Sequence, residues 1–309
     1  MSVPPPSGIY VPAVLFFDEN EDLDPKAIKQ HVLRLAEGGV TGILVQGSNG
    51  EAQHLSHEER KQAIQLTRKI LDENGFKDVI VIAGTGAQST RETIKLCQDA
   101  HSAGAAFALV LTPSTWPPQM SVDNILRFHR AVADASPIPT MVYNFPVVTA
   151  GQDLDSDVIG KLAEHPNIVG CKLSCGNIGK LHRLTSRFHR NQFAVFAGRS
   201  DLLLQGLLSQ SAGCIAASVN LVPKLHTKLY RLFEEGKLEE AMQLQAKLGH
   251  GDWAAGKLGG IGGIKAVVSE AFQYGTPMVR GPLKPVDGKS FVGNDYFKTV
   301  SELIELERA

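Results

Sequence analysis

The sequence predicts an α/β fold, a (β/α)8 TIM barrel with a C-terminal helical extension. Short β-rich segments recur about eight times, and each is followed by a segment whose apolar residues fall at helical spacing. Eight such units in about 220 residues match the usual size of this barrel. A doubly wound open sheet is the alternative, and eight regular units favour a closed barrel over it.

The predicted strands are short runs rich in Val, Ile, Leu and aromatic residues. They cover residues 8–17, 39–48, 78–84, 105–113, 139–146, 168–174, 193–198 and 213–220. Helix-start signals lie between them: Asp24 followed by Pro25, capping boxes at Ser56 with Glu59 and at Ser89 with Glu92, and Ser121 as an N-cap.

The predicted domain organisation follows from the end of this alternation. Residues 1–222 are expected to form the barrel with the active site. Residues 223–309 are helical in pattern, and no linker or low-complexity stretch separates them from the barrel. We therefore expect helices packed on the barrel rather than a free domain.

Composition excludes several classes of partner. The chain has 309 residues, 43% of them hydrophobic and 20% charged, and a formal net charge of -1. This balance gives no reason to expect nucleic acid or an anionic membrane as partner. The N-terminal stretch MSVPPPSGIY has neither the apolar core of a signal peptide nor an Arg-rich transit pattern. Four cysteines, mostly in apolar contexts, fit reduced thiols. The expected location is cytoplasmic.

A lysine inside a predicted buried strand is the first candidate for chemistry. Residues 168–175 read IVGCKLSC, with Lys172 among apolar residues. Strand alternation places Ile168, Gly170, Lys172 and Ser174 toward the barrel interior and Val169 toward the helices. Desolvation favours the neutral form of an amine, and a neutral amine attacks carbonyls to form imines. The alternative is a lysine that reaches solvent or pairs with a carboxylate.

Other predicted strand ends place polar groups at the same rim of the barrel. Strand two ends in QGSNGE, a turn that exposes backbone N–H groups of Ser48 and Asn49 suited to a carboxylate or phosphate. Strand five ends in YNFP, so Tyr143 is a candidate proton shuttle. Strand seven ends in AGRSD, where Gly198 allows a ligand to approach the backbone closely.

Together these motifs resemble the dihydrodipicolinate synthase / N-acetylneuraminate lyase superfamily of class I pyruvate aldolases. The resemblance spans nearly the whole chain and includes GSNGE, YNFP, GCKLS, HPNIVG, GGIKAV and RGPLKP. It implies that Lys172 forms a Schiff base, that Tyr143 relays protons, and that Ser48 and Asn49 hold the pyruvoyl carboxylate. It also implies no cofactor or metal, and a homotetramer built from tight dimers. Ser48 is also a catalytic candidate, expected to orient the Tyr143 phenol or a water. The remaining substrate-binding candidates are Gly198, Ser174, Ile215 and Thr115.

Departures from the family pattern bear on the substrate. Val148 stands where the synthases carry an arginine for the carboxylate of the semialdehyde. Ser114, Thr115 and Trp116 stand where the synthases have a tyrosine pair, so Thr115 or water is expected to replace part of the relay. The pattern is closest to eukaryotic 4-hydroxy-2-oxoglutarate aldolases and fungal 2-keto-3-deoxy-L-galactonate aldolases.

Three functions remain open at this point. The first is a lyase that cleaves a 4-hydroxy-2-oxo acid or 2-keto-3-deoxy sugar acid to pyruvate and an aldehyde. The second uses the same Schiff base for synthase-type condensation or for dehydration of keto-deoxy acids. The third is a catalytically silent barrel that binds keto acids. His54 and His57 have no accompanying carboxylate cluster in sequence, so a metal site is not expected there.

Overall fold

Eight parallel strands form a closed barrel, as the sequence predicts. The structure is a computed structural model that describes residues 2–309. Each strand pairs with the next along the chain, and the last pairs with the first. The strands are β1 (Gly8–Pro12), β2 (Gly42–Val45), β3 (Ile80–Gly84), β4 (Phe107–Leu111), β5 (Thr140–Asn144), β6 (Ile168–Leu173), β7 (Ala194–Ala197) and β8 (Gly213–Ile215).

A helix follows each strand. These helices are α1 (Pro25–Glu37), α2 (His57–Glu73), α3 (Thr90–Ser102), α4 (Val122–Ala135), α5 (Ser156–Ala163), α6 (Ile178–Arg187), α7 (Leu203–Leu208) and α8 (Pro223–Glu234). The N-caps at Asp24, Ser56 and Ser121 are confirmed. At Ser89 only half of the expected capping box forms, because the Glu92 carboxylate contacts His57 instead.

Three further helices complete the chain: α9 (Leu238–Lys257), α10 (Gly260–Phe272) and α11 (Asp295–Arg308). Helix α8 packs against β1 and so lies in the helix ring, although its residues follow the division predicted at residue 222. Helix α9 packs against α8, against α11 and against the turn after β7. The C-terminal helices therefore reach the end of the barrel where the strands finish. Within residues 2–309, no helix combines the length and apolar character needed to cross a bilayer.

The barrel interior and the layer between barrel and helices are separate cores. The interior cluster includes Tyr10, Leu44, Ile82, Met141, Phe196 and Ile215. The larger cluster lies between the strands and the surrounding helices. This arrangement is the layered packing expected of a closed barrel.

Strand β6 departs from the predicted alternation at its start. Thr140 pairs with Ile168, but Met141 pairs with Gly170, so Val169 is an extra residue in β6. Such a bulge shifts the direction of the side chains by one position. Val169 accordingly lies in the interior cluster and Ile168 in the outer one. The expected orientations of these two residues were wrong. Beyond the bulge, Lys172 of β6 pairs with Tyr143 of β5.

Candidate active site

Lys172 and Tyr143 meet at the carboxyl ends of β6 and β5. Lys172 is 3% exposed, and so is Tyr143. The Lys172 Nζ donates a hydrogen bond to the Tyr143 hydroxyl oxygen at 3.1 Å and lies 4.2 Å from the centroid of the Tyr143 ring. The two residues are direct neighbours across paired strands, which fixes this contact. A shielded amine and a phenol therefore share one position at the end of the barrel.

Ser48 extends this contact to a third group. Its Oγ lies 3.2 Å from the Tyr143 hydroxyl oxygen. Ser48 begins the short 3-10 turn Ser48–Gly50, whose hydrogen bonds run from Gly50 N to Gly47 O and from Glu51 N to Ser48 O. The amides of Ser48 and Asn49 thus lie at the open start of the turn, where backbone N–H groups favour an anion.

A buried ion pair holds the β2 turn in place. Glu51 ends the turn in a left-handed conformation with φ of 53°. Its Oε1 accepts a hydrogen bond from Lys265 Nζ, and its Oε2 accepts one from the Arg280 backbone N–H at 2.9 Å. Lys265 is fully buried in α10 and also donates to Met278 O at 2.7 Å. Burial lowers the pKa of Lys265 to about 8, although Glu51 opposes that shift.

A cavity of about 410 Å³ lies in front of Lys172. Of the predicted site residues, Asn49, Tyr143, Ser174 and Gly198 line it together with Lys172. A Cβ at Gly198 would come within 2.4 Å of Ser174 Oγ and 2.6 Å of Leu173 O. Only glycine fits at that position, so the predicted close approach to the backbone has a steric basis.

A second cavity of about 310 Å³ lies on the other side of Tyr143. Ser48, Glu51, His54, Gln88 and Val148 are among its lining residues. Val148 does not line the cavity in front of Lys172. The neighbouring residue Val147 does line that cavity, so the chain passes from one cavity to the other between these two valines.

Two predicted substrate-binding residues lie away from both cavities. Thr115 is exposed, and its Oγ1 donates a hydrogen bond to Gln88 Oε1 at 2.7 Å. Ile215 is completely buried in the interior cluster beneath the site. Neither side chain lines the cavity in front of Lys172.

Several lining residues of that cavity were not predicted from the sequence, among them three charged residues and a tryptophan. Arg199 follows Gly198 after β7, and Asp252, Trp253 and Lys257 come from helix α9. Trp253 and Lys257 are four residues apart, which places them on one face of the helix. That spacing was the available signal, but nothing in the sequence indicates that this face turns toward the barrel mouth.

The described part of the chain does not contain a group of three or more His, Cys, Asp or Glu side chains arranged to hold a metal ion. His54 Nδ1 lies 3.3 Å from the Glu51 carboxylate, and His57 contacts Glu92. Both histidines are thus engaged in pairs at the start of α2.

The geometry defines a class of protein: a (β/α)8 barrel with a shielded amine, a phenol and a turn with open backbone N–H groups at its carboxyl end. A family model described as the Dihydrodipicolinate synthetase family matches residues 5–291. The chain belongs to this family.

Curated relatives agree with this assignment. One from Emericella nidulans is 46% identical over 301 residues, covering 97% of this chain and 96% of the relative, and is named a mitochondrial 4-hydroxy-2-oxoglutarate aldolase. One from Hypocrea jecorina is 42% identical over 290 residues, covering 91% of each chain, and is named L-threo-3-deoxy-hexylosonate aldolase. The expectation of an aldolase of this family is confirmed.

Solved structures support the fold over its full length. A dihydrodipicolinate synthase family protein from Coccidioides immitis has a TM-score of 0.86 and 35% sequence identity, covering 99% of this chain and 98% of that one. The predicted barrel with C-terminal helices is confirmed by this similarity and by the strand order itself.

The expected cytoplasmic location is contradicted. The Emericella nidulans relative is named mitochondrial. A second relative, from Coccidioides immitis, is 43% identical over 245 residues, covering 79% of this chain and 77% of the relative, and also carries a mitochondrial name. The prediction relied on an N-terminal stretch without an evident targeting pattern, and that observation was a poor guide to location.

Proposed function

We propose that the protein is a Schiff-base-forming class I aldolase that cleaves a 4-hydroxy-2-oxo acid or 2-keto-3-deoxy sugar acid to pyruvate and an aldehyde. The observation that carries the proposal is the continuous contact from Lys172 Nζ through the Tyr143 hydroxyl to Ser48 Oγ, at 3.1 and 3.2 Å. The aldolase names of the relatives support the same chemistry.

Imine formation begins with attack of the Lys172 amine on C2 of the substrate. The resulting carbinolamine loses its hydroxyl as water, and this step needs a proton at the departing oxygen. The Tyr143 phenol is within hydrogen-bond reach of Nζ and can deliver that proton. The amides of Ser48 and Asn49 bind the C1 carboxylate, which fixes C2 against the amine.

Cleavage then uses the protonated imine as the electron sink. As the C4 hydroxyl gives up its proton to Tyr143, the C3–C4 bond breaks and its electron pair moves toward the imine nitrogen. The aldehyde leaves, and an enamine of pyruvate remains on Lys172. Protonation at C3 and hydrolysis of the imine release pyruvate and restore the amine. This scheme requires no metal and no organic cofactor.

Synthase-type condensation and dehydration of keto-deoxy acids use the same imine and are the second candidate. The apolar side chain of Val148, at the position where the synthases carry an arginine, disfavours the synthase reaction, because it cannot pair with the carboxylate of the semialdehyde. A catalytically silent keto-acid-binding barrel is disfavoured by the buried contact between Lys172 and Tyr143.

The assembly and location are also part of the proposal. Family resemblance supports a homotetramer, a dimer of tight dimers, and the mitochondrial names of two relatives support a mitochondrial location. The partner of the site is a small 2-oxo acid.

A panel of 2-oxo acids tests the proposed function. The wild-type enzyme, incubated with 4-hydroxy-2-oxo acids and 2-keto-3-deoxy sugar acids, should release pyruvate and an aldehyde in equal amounts. Release of water without pyruvate would identify a dehydratase. Condensation of pyruvate with aspartate semialdehyde at a higher kcat/KM than any cleavage would identify a synthase. No reaction with any of them would identify the silent barrel.

A further inference from the structure

The cavity in front of Lys172 has buried residues at its base and exposed residues at its mouth. Lys172 and Tyr143 at its base are buried, whereas Trp253 is 57% exposed and Lys257 is exposed at its mouth. A substrate joined to Lys172 through C2, with its C1 carboxylate on the β2 turn, has to extend its remaining carbons toward the mouth. The residues at the mouth therefore meet the far end of the substrate.

The Arg199 guanidinium is a cation that lines this cavity. Its Nε donates to Asp201 Oδ1 at 3.1 Å and its Nη2 donates to Asp201 Oδ2 at 2.5 Å. The pair holds the guanidinium in one orientation, and among residues 2–309 nothing accepts a hydrogen bond from Nη1. A guanidinium fixed in this way is well suited to a carboxylate.

Lys257 presents a second cation. Its Nζ lies 4.5 Å from the centroid of the Trp253 ring, which orients the side chain through a cation–π contact. No carboxylate in the described part of the chain forms an ion pair with Lys257. Its charge is therefore free to pair with a ligand.

Asp252 is the acidic residue of the same lining, and its oxygens are already engaged. Oδ1 accepts a hydrogen bond from Ser218 Oγ, and Oδ2 accepts one from the Asp201 backbone N–H at 3.4 Å. Burial raises the pKa of this carboxyl. Asp252 thus supports the turn that carries Arg199.

We propose that Arg199 and Lys257 bind a second carboxylate at the far end of the substrate, so that the enzyme prefers dicarboxylic 4-hydroxy-2-oxo acids over polyhydroxylated ones. This inference rests on the proposed aldolase function and selects between the two substrate classes left open there.

A matched substrate pair tests the inference. 4-Hydroxy-2-oxoglutarate and 4,5-dihydroxy-2-oxopentanoate differ only in a carboxylate or a hydroxymethyl group at the far end. Wild type should show the higher kcat/KM for the dicarboxylate. Lys257→Met should lower the ratio of the two kcat/KM values by about ten-fold, since one charge-assisted hydrogen bond is lost. The change should appear in KM more than in kcat.

Control variants show whether the charge of Lys257, rather than a change in the fold, sets the preference for the dicarboxylate. Lys257→Arg, which keeps the charge, should recover most of the preference. Lys247→Met removes a lysine of the same helix that lies in a separate groove against α11, and it should leave the ratio unchanged. A wild-type preference for the hydroxymethyl substrate, or an unchanged ratio in Lys257→Met, would overturn the inference. Labelling of Lys172 by pyruvate and borohydride reports separately on the proposed function, because pyruvate has no far end to reach these cations.

Discussion

The Tyr143 hydroxyl oxygen lies 3.1 Å from Lys172 Nζ, across a direct pairing of β5 with β6. It also lies 3.2 Å from Ser48 Oγ, and Tyr143 borders both cavities at the end of the barrel. Because one phenol contacts the amine and a hydroxyl at once, it is placed to move protons during both imine formation and cleavage.

Removal of the Tyr143 hydroxyl should therefore impair turnover more than binding. Tyr143→Phe should lower kcat by roughly 100- to 10,000-fold, the range for a lost general acid–base group. The affinity for pyruvate should change much less, because the amides of Ser48 and Asn49 are the groups proposed to bind its carboxylate. The measurement is steady-state kinetics of Tyr143→Phe, with Tyr296→Phe as the control because Tyr296 is an exposed tyrosine on α11. Near-normal turnover of Tyr143→Phe would place the relay elsewhere, and Ser48 would be the next residue to replace.

The buried pair of Glu51 and Lys265 should matter strongly for stability. Removing one partner leaves an uncompensated buried charge, so Lys265→Met should lower the free energy of unfolding by about 3–5 kcal/mol. The double variant Glu51→Gln with Lys265→Met should be more stable than Lys265→Met alone, because both charges are gone. Urea denaturation measures these changes. Glu164→Gln, which breaks an exposed pair with Arg187 at 3.4 Å, should cost no more than about 1 kcal/mol. If Lys265→Met and Glu164→Gln lowered the free energy of unfolding equally, the buried pair would have no special role in stability.

Three buried histidines should make the fold sensitive to acid. Burial lowers the pKa of His31 and of His129 to about 3 and that of His226 to about 4, from an ordinary value of 6.5. Between about pH 6.5 and 4 the unfolded chain therefore takes up protons that the folded protein does not, and the free energy of unfolding falls as the pH falls.

Denaturation at pH 7 and pH 5 measures this dependence. His226→Gln should reduce the difference between the free energies of unfolding at the two pH values. His101→Gln, at an exposed position, should leave that difference unchanged. A free energy of unfolding that rises as the pH falls from 6.5 to 5 would contradict the assignment.

Local patterns in the sequence were sufficient for much of the fold and for the centre of the site. All eight strands form within or close to their predicted ranges, since each is a short apolar run between turn residues. Lys172, Tyr143 and Ser48 come together because they end strands of one barrel, and parallel strands end at the same rim.

The remaining features depend on packing between distant segments. Helix α9 presents Asp252, Trp253 and Lys257 to the barrel mouth, and no local pattern reports which helix face meets the barrel. The bulge at Val169 depends on pairing with β5, so alternation alone misplaced Ile168. Thr115 is exposed and hydrogen-bonded to Gln88, 27 residues away in sequence, a contact that no local pattern reports.

Borohydride trapping tests whether Lys172 forms the imine. The wild-type protein is incubated with pyruvate and borohydride, digested, and analysed by mass spectrometry. A reduced pyruvoyl adduct is expected on Lys172 and on no other lysine, because a shielded amine forms the imine that the reductant traps. Lys172→Arg should remain folded and unlabelled, since a guanidinium cannot form the imine. An adduct on another lysine, or no adduct on a wild-type protein that still cleaves substrate, would show that Lys172 does not form the imine.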